Sequence, residues 1–140
     1  MIAEAVAAMA LFFPLFVLII CAGLEASYAY VIARNMSEGS YLAAQQMAAA
    51  YKSYPGIVRD SAAQQAVFSQ IRIPNFVASN AQFYFPSNAW QTTGSLQTVT
   101  VGCKYISGAG SPTLPQSPIS DPLGLGANFT VQSIAFCRCN

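Results

Sequence analysis

The sequence contains no histidine and few charged residues. Lysine and arginine together number 6, aspartate and glutamate number 5, and charged residues make up 8% of the 140 positions. An ordinary soluble domain is about one-quarter charged. Without histidine, a mixed Cys/His zinc site and a haem-attachment motif are excluded. We therefore do not expect a free cytosolic monomer, and we expect no site of either kind.

Clusters of basic residues are also lacking. The net charge is +1, and lysine and arginine are scattered along the chain. Binding to nucleic acid depends on a concentrated positive patch that neutralises phosphates. We therefore expect no nucleic-acid partner.

Groups that could carry out catalysis are scarce. After the N-terminal segment the carboxylates are Asp60 and Asp121, and no sequence pattern joins them. A nucleotide-binding loop and a metal-binding motif are both missing. Because acid–base catalysis needs a base positioned near a reacting group, we predict that the protein is not an enzyme and uses no cofactor.

The dominant feature of the chain is its first segment, residues 1–54. Residues 5–24 carry no charge, and as a helix they span about 30 Å, the thickness of the hydrocarbon core of a bilayer. Residues 25–54 continue without proline and with a single glycine, Gly39. We predict one long helix, apolar in its first half and amphipathic in its second. No basic region precedes the long apolar run, so we expect this segment to be retained and not cleaved as a signal peptide.

Several residues of this segment are suited to assembly. Glu4 lies at the edge of the apolar run, either as an ordinary charge in the headgroup region or as a partner of the α-ammonium group of a neighbouring subunit. Pro14 removes one backbone hydrogen bond, so we expect a kink or local unwinding there. Small residues that allow close helix approach recur on one stripe. The stripe consists of Ala22, Ala26, Ala29 and Ala33.

Residues 55–140 predict a small β-rich head, so the fold class is α+β. Pro55 and Gly56 end the long helix, and residues 57–70 predict a short second helix. Strand patterns follow at residues 82–85, 96–106 and 128–139. Residues 107–127, rich in proline, glycine and serine, predict a long irregular loop. Aromatic residues between positions 76 and 90 are expected in the core more readily than on a ligand-binding face.

Three of the four cysteines lie in the head. If the last two strands pair antiparallel, Cys103 meets Cys137 or Cys139 across the ladder. We expect Cys137 and Cys139 to face opposite sides of their strand, and we favour Cys137 because it continues an apolar run. A disulfide implies an oxidising, exported location. Asn128 begins an N-x-[ST] pattern and is a candidate glycosylation site.

The first 50 or so residues resemble the TadE-like family of pseudopilins, which are minor subunits of tight-adherence pilus systems in the type IV pilin-like superfamily. The pattern is an acidic residue before an apolar run with a central proline, then Gly-x-Glu and aromatic residues. It is formed here by Glu4, Pro14, Gly23-Leu24-Glu25, Tyr28 and Tyr30. An Ala-rich stretch through residues 37–39 follows.

The resemblance implies a lollipop-shaped subunit whose helices assemble into the core of a filament. It also implies processing at a membrane by a prepilin-type peptidase and contact with the pilus assembly machinery. The expected location is the inner membrane before assembly and the extracellular filament afterwards.

Two functions are therefore compatible with the sequence. The first is a structural subunit that polymerises through its N-terminal helix. The alternative is a single-pass membrane protein that never polymerises and acts as a binding or assembly module through an exported C-terminal domain. The scarcity of charge after Glu25 favours the polymer, because an isolated helix would expose apolar surface to water. A head that recognises a glycan or a surface is compatible with either function.

Overall fold

The structure is a computed structural model, and it describes residues 2–74, 80–106, 123 and 129–139. The fold is α+β, with a long N-terminal apolar helix and a small antiparallel sheet, as predicted. The helical elements are α1 (Ile2–Ser53), a 3-10 helix (Pro55–Val58) and α2 (Ser61–Ser69). The strands are β1 (Ala81–Tyr84), β2 (Trp90–Thr93), β3 (Leu96–Ile106) and β4 (Thr130–Cys139).

Helix α1 is continuous over 52 residues and is therefore about 80 Å long. It passes through Pro14 without a break in its secondary structure, so the local unwinding expected there does not occur. A single proline removes one N–H donor, and the hydrogen bonds of the surrounding turns preserve the helix. The helix ends before Pro55, which disfavours helical backbone angles at the residue preceding it. Tyr54 accordingly has φ −141° and ψ 88°.

The second helix is shorter than predicted. The sequence favours one helix over residues 57–70, whereas the chain forms a separate 3-10 helix and then α2. Asp60 lies between them as the N-cap of α2, and its side chain accepts a hydrogen bond from the Ala63 N–H at 3.0 Å. This cap fixes where α2 begins.

Strand β3 is the centre of the sheet. Strands β1 and β2 pair with its two halves along one edge, and β4 pairs with its whole length along the other. All of these pairings are antiparallel. Side chains alternate along β3, so that one face of the sheet is directed toward α1. On this inner face Val99, Val101, Cys103 and Tyr105 are completely buried.

The second half of α1 forms the other side of this core. Met36 packs with Cys103 and Tyr105 near one end of β3, and Met47 packs with Val99 nearer the other end. Strand β3 therefore runs antiparallel to α1, and β4 runs parallel to it. The predicted division at residues 54 and 55 separates two elements of the chain, but the packed core includes α1 well before that point.

A polar contact fixes the helix against β4. Ser40 is fully buried, and its hydroxyl donates to the Ser37 carbonyl at 2.9 Å. Its Oγ also lies 3.1 Å from the Oγ of Ser133. Because a buried hydroxyl without a partner is unfavourable, this pair helps to determine how far α1 is shifted along the strand.

Aromatic rings close the core on the side of α2. Phe68 stacks on Phe83 with ring centroids 5.3 Å apart and contacts Phe85 at 5.2 Å. Trp90 lies 5.5 Å from Tyr51 on α1, also measured between ring centroids. These aromatic residues of the head therefore serve as core, as expected.

Gly102 occupies a position in β3 where a side chain has no room. It is opposite Tyr84 in the register, and the Tyr84 ring lies directly over it on the outer face of the sheet. A Cβ atom at position 102 would overlap the ring and its hydroxyl. The aromatic ring thus covers the gap that glycine leaves in the strand.

We expect Gly102→Ala to destabilise the fold by about 1–3 kcal/mol, because the new methyl group displaces the Tyr84 ring or the strand. Chemical denaturation of the detergent-solubilised chain measures this change. Gly23→Ala is the matched control, since no neighbouring atom lies within 4 Å of the position that the alanine Cβ would occupy. The double variant Gly102→Ala/Tyr84→Ala should lose less stability than the sum of its parts. An unchanged denaturation midpoint for Gly102→Ala would contradict this account of Gly102.

Candidate functional site

The first half of α1 presents apolar side chains on all sides. We call residues 6–24 the apolar rod. Val17 is half-buried, and the other large hydrophobic side chains range from 44% exposed at Leu18 to 76% exposed at Met9. Burial begins at Cys21, where α1 first meets the rest of the chain. A helix that is apolar around its whole circumference requires apolar surroundings.

Within the described residues, α1 is the one helix that is long and apolar enough to cross a membrane. In its most apolar 18-residue stretch, 11% of the residues are buried. The central helix of a soluble protein passes the same test of length and composition, but it would be mostly buried. The apolar rod therefore contributes little to the core, and its side chains remain available to an outside environment.

Beyond Glu25 the helix has two different faces. The sheet covers one of them, where the fully or almost fully buried side chains include Ile32, Met36 and Met47. The opposite face, which we call the free face, combines exposed Val31 and Leu42 with charged residues. On this face the Nε of Arg34 lies 2.9 Å from the Oε1 of Glu38. The chain's own sheet thus supplies one of the neighbours that this charge-poor helix needs.

The small residues predicted to mediate close packing lie beside the covered face. Ala26 is exposed, and Ala22, Ala29 and Ala33 are half-buried. Tyr28, Tyr30 and Tyr41 are exposed nearby. The stripe is therefore only partly open, with Ala26 as its most accessible member.

Glu25 is a functional candidate to which the sequence analysis gave no role of its own, beyond the end of the apolar run and the Gly-x-Glu pattern. Its side chain is 5% exposed, and its Oε2 accepts a hydrogen bond from the Leu123 N–H at 3.1 Å. A buried carboxyl oxygen needs such a donor, because a buried polar atom without a partner is unfavourable. A lone acid after a long apolar run is the visible signal, but a partner 98 positions away leaves no pattern in the sequence. Glu25 marks the level at which the apolar rod leaves the head.

Two predicted site residues lie outside what the structure describes. Glu4 belongs to α1, but its side chain is not among the described ones, and Asn128 falls in the undescribed part of the chain. Apart from Leu123, the same holds for the loop predicted at residues 107–127. The ion pair of Glu4, the loop and the glycosylation of Asn128 stay predictions.

The predicted disulfide is wrong, although its two strands pair as expected. Cys103 is opposite Ser133, and Cys137 is opposite Val99. Cys137 is four positions from Ser133, or about 13 Å along the strand, which exceeds the Cα separation of about 4–7 Å that a disulfide allows. The Cys139 thiol is farther still, and Cys103, Cys137 and Cys139 are all unbridged.

The expectation that Cys137 and Cys139 face opposite sides is also wrong. Residues two apart in a strand point to the same face. Both cysteines are half-buried on the inner face. Phe136, which precedes Cys137, and Arg138, which lies between the two cysteines, are exposed on the other face. In the described part of the chain, no group of three or more Cys, Asp or Glu side chains could hold a metal ion.

The head cysteines differ in their surroundings. Burial raises the pKa of the Cys103 thiol to about 11. Burial also raises the pKa of Cys139, and the neighbouring Cys137 adds to this effect. Cys103 is completely buried, with its Sγ 3.4 Å from the Sδ of Met36, whereas the other two are half-exposed.

We predict that iodoacetamide at about pH 8 modifies Cys137 and Cys139 in the folded protein and leaves Cys103 intact, because the accessible thiolate is the reactive form. Mass spectrometry of peptides from non-reduced protein locates each modification. The denatured chain is the control, in which Cys103 must also react. A peptide in which Cys103 is linked to another cysteine, or equal reaction of all three in the native state, would show that the register is different.

The raised pKa of Cys103 also predicts a pH dependence. Between the ordinary thiol pKa of 9.0 and the value of about 11, the unfolded chain loses the Cys103 proton while the native state retains it. The free energy of unfolding should therefore fall as the pH rises through this range, and Cys103→Ala should reduce the fall.

Comparison with known proteins identifies no relative, since no family model, no curated protein and no solved structure matches the chain.

Proposed function

We propose that this chain is a structural subunit of an extracellular, type IV pilus-like filament of the tight-adherence kind, and that it polymerises through its N-terminal helix. The observation that carries the proposal is the apolar rod, whose large side chains are exposed on every side. Two environments satisfy such a surface, a lipid bilayer and a bundle of like helices. A subunit that moves from the first environment to the second keeps its apolar rod covered throughout.

The second half of α1 supports the same arrangement. Its inner side is covered by the sheet, so sister helices approach from the free face and from the exposed edge of the small-residue stripe at Ala26. Close approach at small residues increases van der Waals contact between helices. In such a bundle the helices lie at the centre, and the sheets lie on the outside.

The path to the filament follows from the sequence resemblance. It includes the inner membrane as the first location, a prepilin-type peptidase as the processing enzyme and an assembly machinery as the partner. Glu4 then pairs with the α-ammonium group of the next subunit, which sets the axial position of each helix. This pairing places the carboxylate beside a cation in an otherwise apolar environment, where an unpaired charge is costly.

A single-pass anchor that never polymerises is the second candidate. The same apolar rod supports it, since a helix of this length spans a bilayer without neighbours. The ion pair between Arg34 and Glu38 on the free face also suits a helix that stands in water beyond the membrane. The two candidates differ in whether sister helices contact one another outside the lipid.

Filament formation is tested by the variant Ala26→Leu. Negative-stain images of material sheared from producing cells should show thin filaments labelled by an antibody against the head for the original sequence. The bulkier leucine at the exposed stripe position should lower their yield at least about tenfold, because it keeps neighbouring helices apart. Insertion in the membrane fraction should not change.

Ala66→Leu is the matched control, because it makes the same change at an exposed helical position of the head, on α2 and not on α1. It should leave the filament yield as it was. Recovery of the original chain solely as a detergent-soluble monomer would favour the anchor. Equal yields for both leucine variants would exclude close packing at Ala26.

The role of Glu4 is tested by Glu4→Gln. Glutamine keeps the size of the side chain but removes the charge, so the variant should insert in the membrane and fail to assemble, or assemble at least about tenfold more slowly. Sheared and membrane fractions are quantified with the same antibody. An unchanged filament yield would count against a register set by this carboxylate.

A further inference from the structure

The face of the sheet that is turned away from α1 has an exposed apolar centre. We call it the outer sheet face. Phe136 is 73% exposed and Ile134 is 53% exposed, and both lie on the solvent side of β4. Ile134 of β4 and Tyr84 of β1 are both opposite Gly102 in the register, and the Tyr84 ring lies over Gly102 on the same face as Ile134. The side chains of Ile134 and Phe136 on β4 and the Tyr84 ring on β1 therefore form a patch that extends over Gly102 of β3.

Polar residues surround this patch, and its charges are of one sign. Lys104 and Arg138 lie on the outer sheet face near opposite ends of the patch. Lys104 is opposite Gln132, six positions from Arg138, so the two cations are about 20 Å apart. No residue of the four strands is acidic, and neither cation forms an ion pair within the described part of the chain. An apolar centre with a polar rim is the usual anatomy of a protein interface.

The described ends of the β3–β4 connection lie away from Phe136. It leaves β3 at Ile106 and returns to β4 at Thr130, both at the end of the sheet that is nearest the apolar rod. Its residue Leu123 bonds to Glu25 on α1, which lies on the opposite side of the sheet. Phe136 is about 20 Å from the start of β4.

A second copy of the chain is also a poor cover. If two outer sheet faces packed against each other about a two-fold axis, Lys104 and Arg138 would face cations of the partner. Like charges placed opposite each other are unfavourable both in paired sheets and across interfaces. The charges of this face match a partner that carries carboxylates.

We propose that the outer sheet face is a docking surface for an acidic partner protein, which covers Phe136 and Ile134 with apolar side chains and pairs carboxylates with Lys104 and Arg138. The surface is formed within one chain and does not depend on polymerisation. If the proposed filament forms, this face lies on its outside, and in that respect alone the inference rests on the proposed function.

The test uses the full chain in a non-ionic detergent and a fluorescent peptide in which phenylalanine residues are flanked on both sides by glutamates. Anisotropy should show binding that weakens at least about tenfold between ~50 mM and ~500 mM salt, because screening shortens the reach of exposed charges. Phe136→Ser should lower the affinity at least about tenfold, because a buried aromatic anchor carries much of the binding energy of an interface. The double variant Lys104→Glu/Arg138→Glu should abolish binding.

Two controls accompany this measurement. Leu42→Ser removes an exposed apolar side chain from the free face of α1, and it should leave peptide binding unchanged. A peptide with lysine in place of glutamate should not bind. All variants alter exposed or half-buried positions, and circular dichroism verifies that each retains its fold.

Several results would overturn the proposal. They are failure of the original chain to bind the acidic peptide, equal binding by the charge-reversed variant, and binding of a uronic-acid polysaccharide in place of the peptide. Self-association of the chain that Phe136→Ser removes would assign the face to a second copy. Because peptide binding in detergent requires no polymerisation, a negative result here is independent of the filament experiment.

Discussion

The structure depends on how one long apolar helix is covered. Helix α1 has far more hydrophobic surface than its few charged residues can shield from water, and each part of it meets that demand differently. Its second half packs against the inner face of the sheet, so that Met36 and Met47 lie in the core. Its first half receives no such cover and leaves the apolar rod exposed. Removal of apolar surface from water is the main favourable contribution to folding and to association.

The place where these two parts meet is defined by polar contacts. Glu25 is buried and bonded to the backbone of Leu123, and Ser40 is buried against Ser133. Buried polar groups are tolerated when they are satisfied, and each then restricts the arrangement to geometries that keep its partner. These contacts fix the position of the head on the helix, and they leave the apolar rod projecting beyond it.

The same arrangement separates the outer surfaces of the chain. The free face of α1 and the outer sheet face lie on opposite sides of the core, because α1 and the sheet both turn their other faces toward that core. One carries aliphatic side chains with the paired charges of Arg34 and Glu38, and the other carries Phe136 and Ile134 between Lys104 and Arg138. The two surfaces that we propose for like subunits and for a different partner therefore do not overlap.

The sequence by itself determined the elements whose signals are local. The length of α1 follows from residues 1–54, its end follows from Pro55, and the alternation at residues 96–106 and 128–139 predicts the two long strands. Their antiparallel pairing was also predicted correctly. The apolar rod is a property of composition, because no arrangement of so few charged residues makes it polar.

The tertiary structure decided what depends on register and on distant contacts. The expected bridge would place Cys137 opposite Cys103. In the observed pairing of β3 with β4, Ser133 is opposite Cys103, so the two registers differ by four positions. Side-chain packing on the inner face, not any local pattern, selects that register. The burial of Glu25 likewise requires Leu123, which lies far along the chain. Folding brings such residues together from distant parts of the chain, and the local sequence around each of them does not indicate the contact.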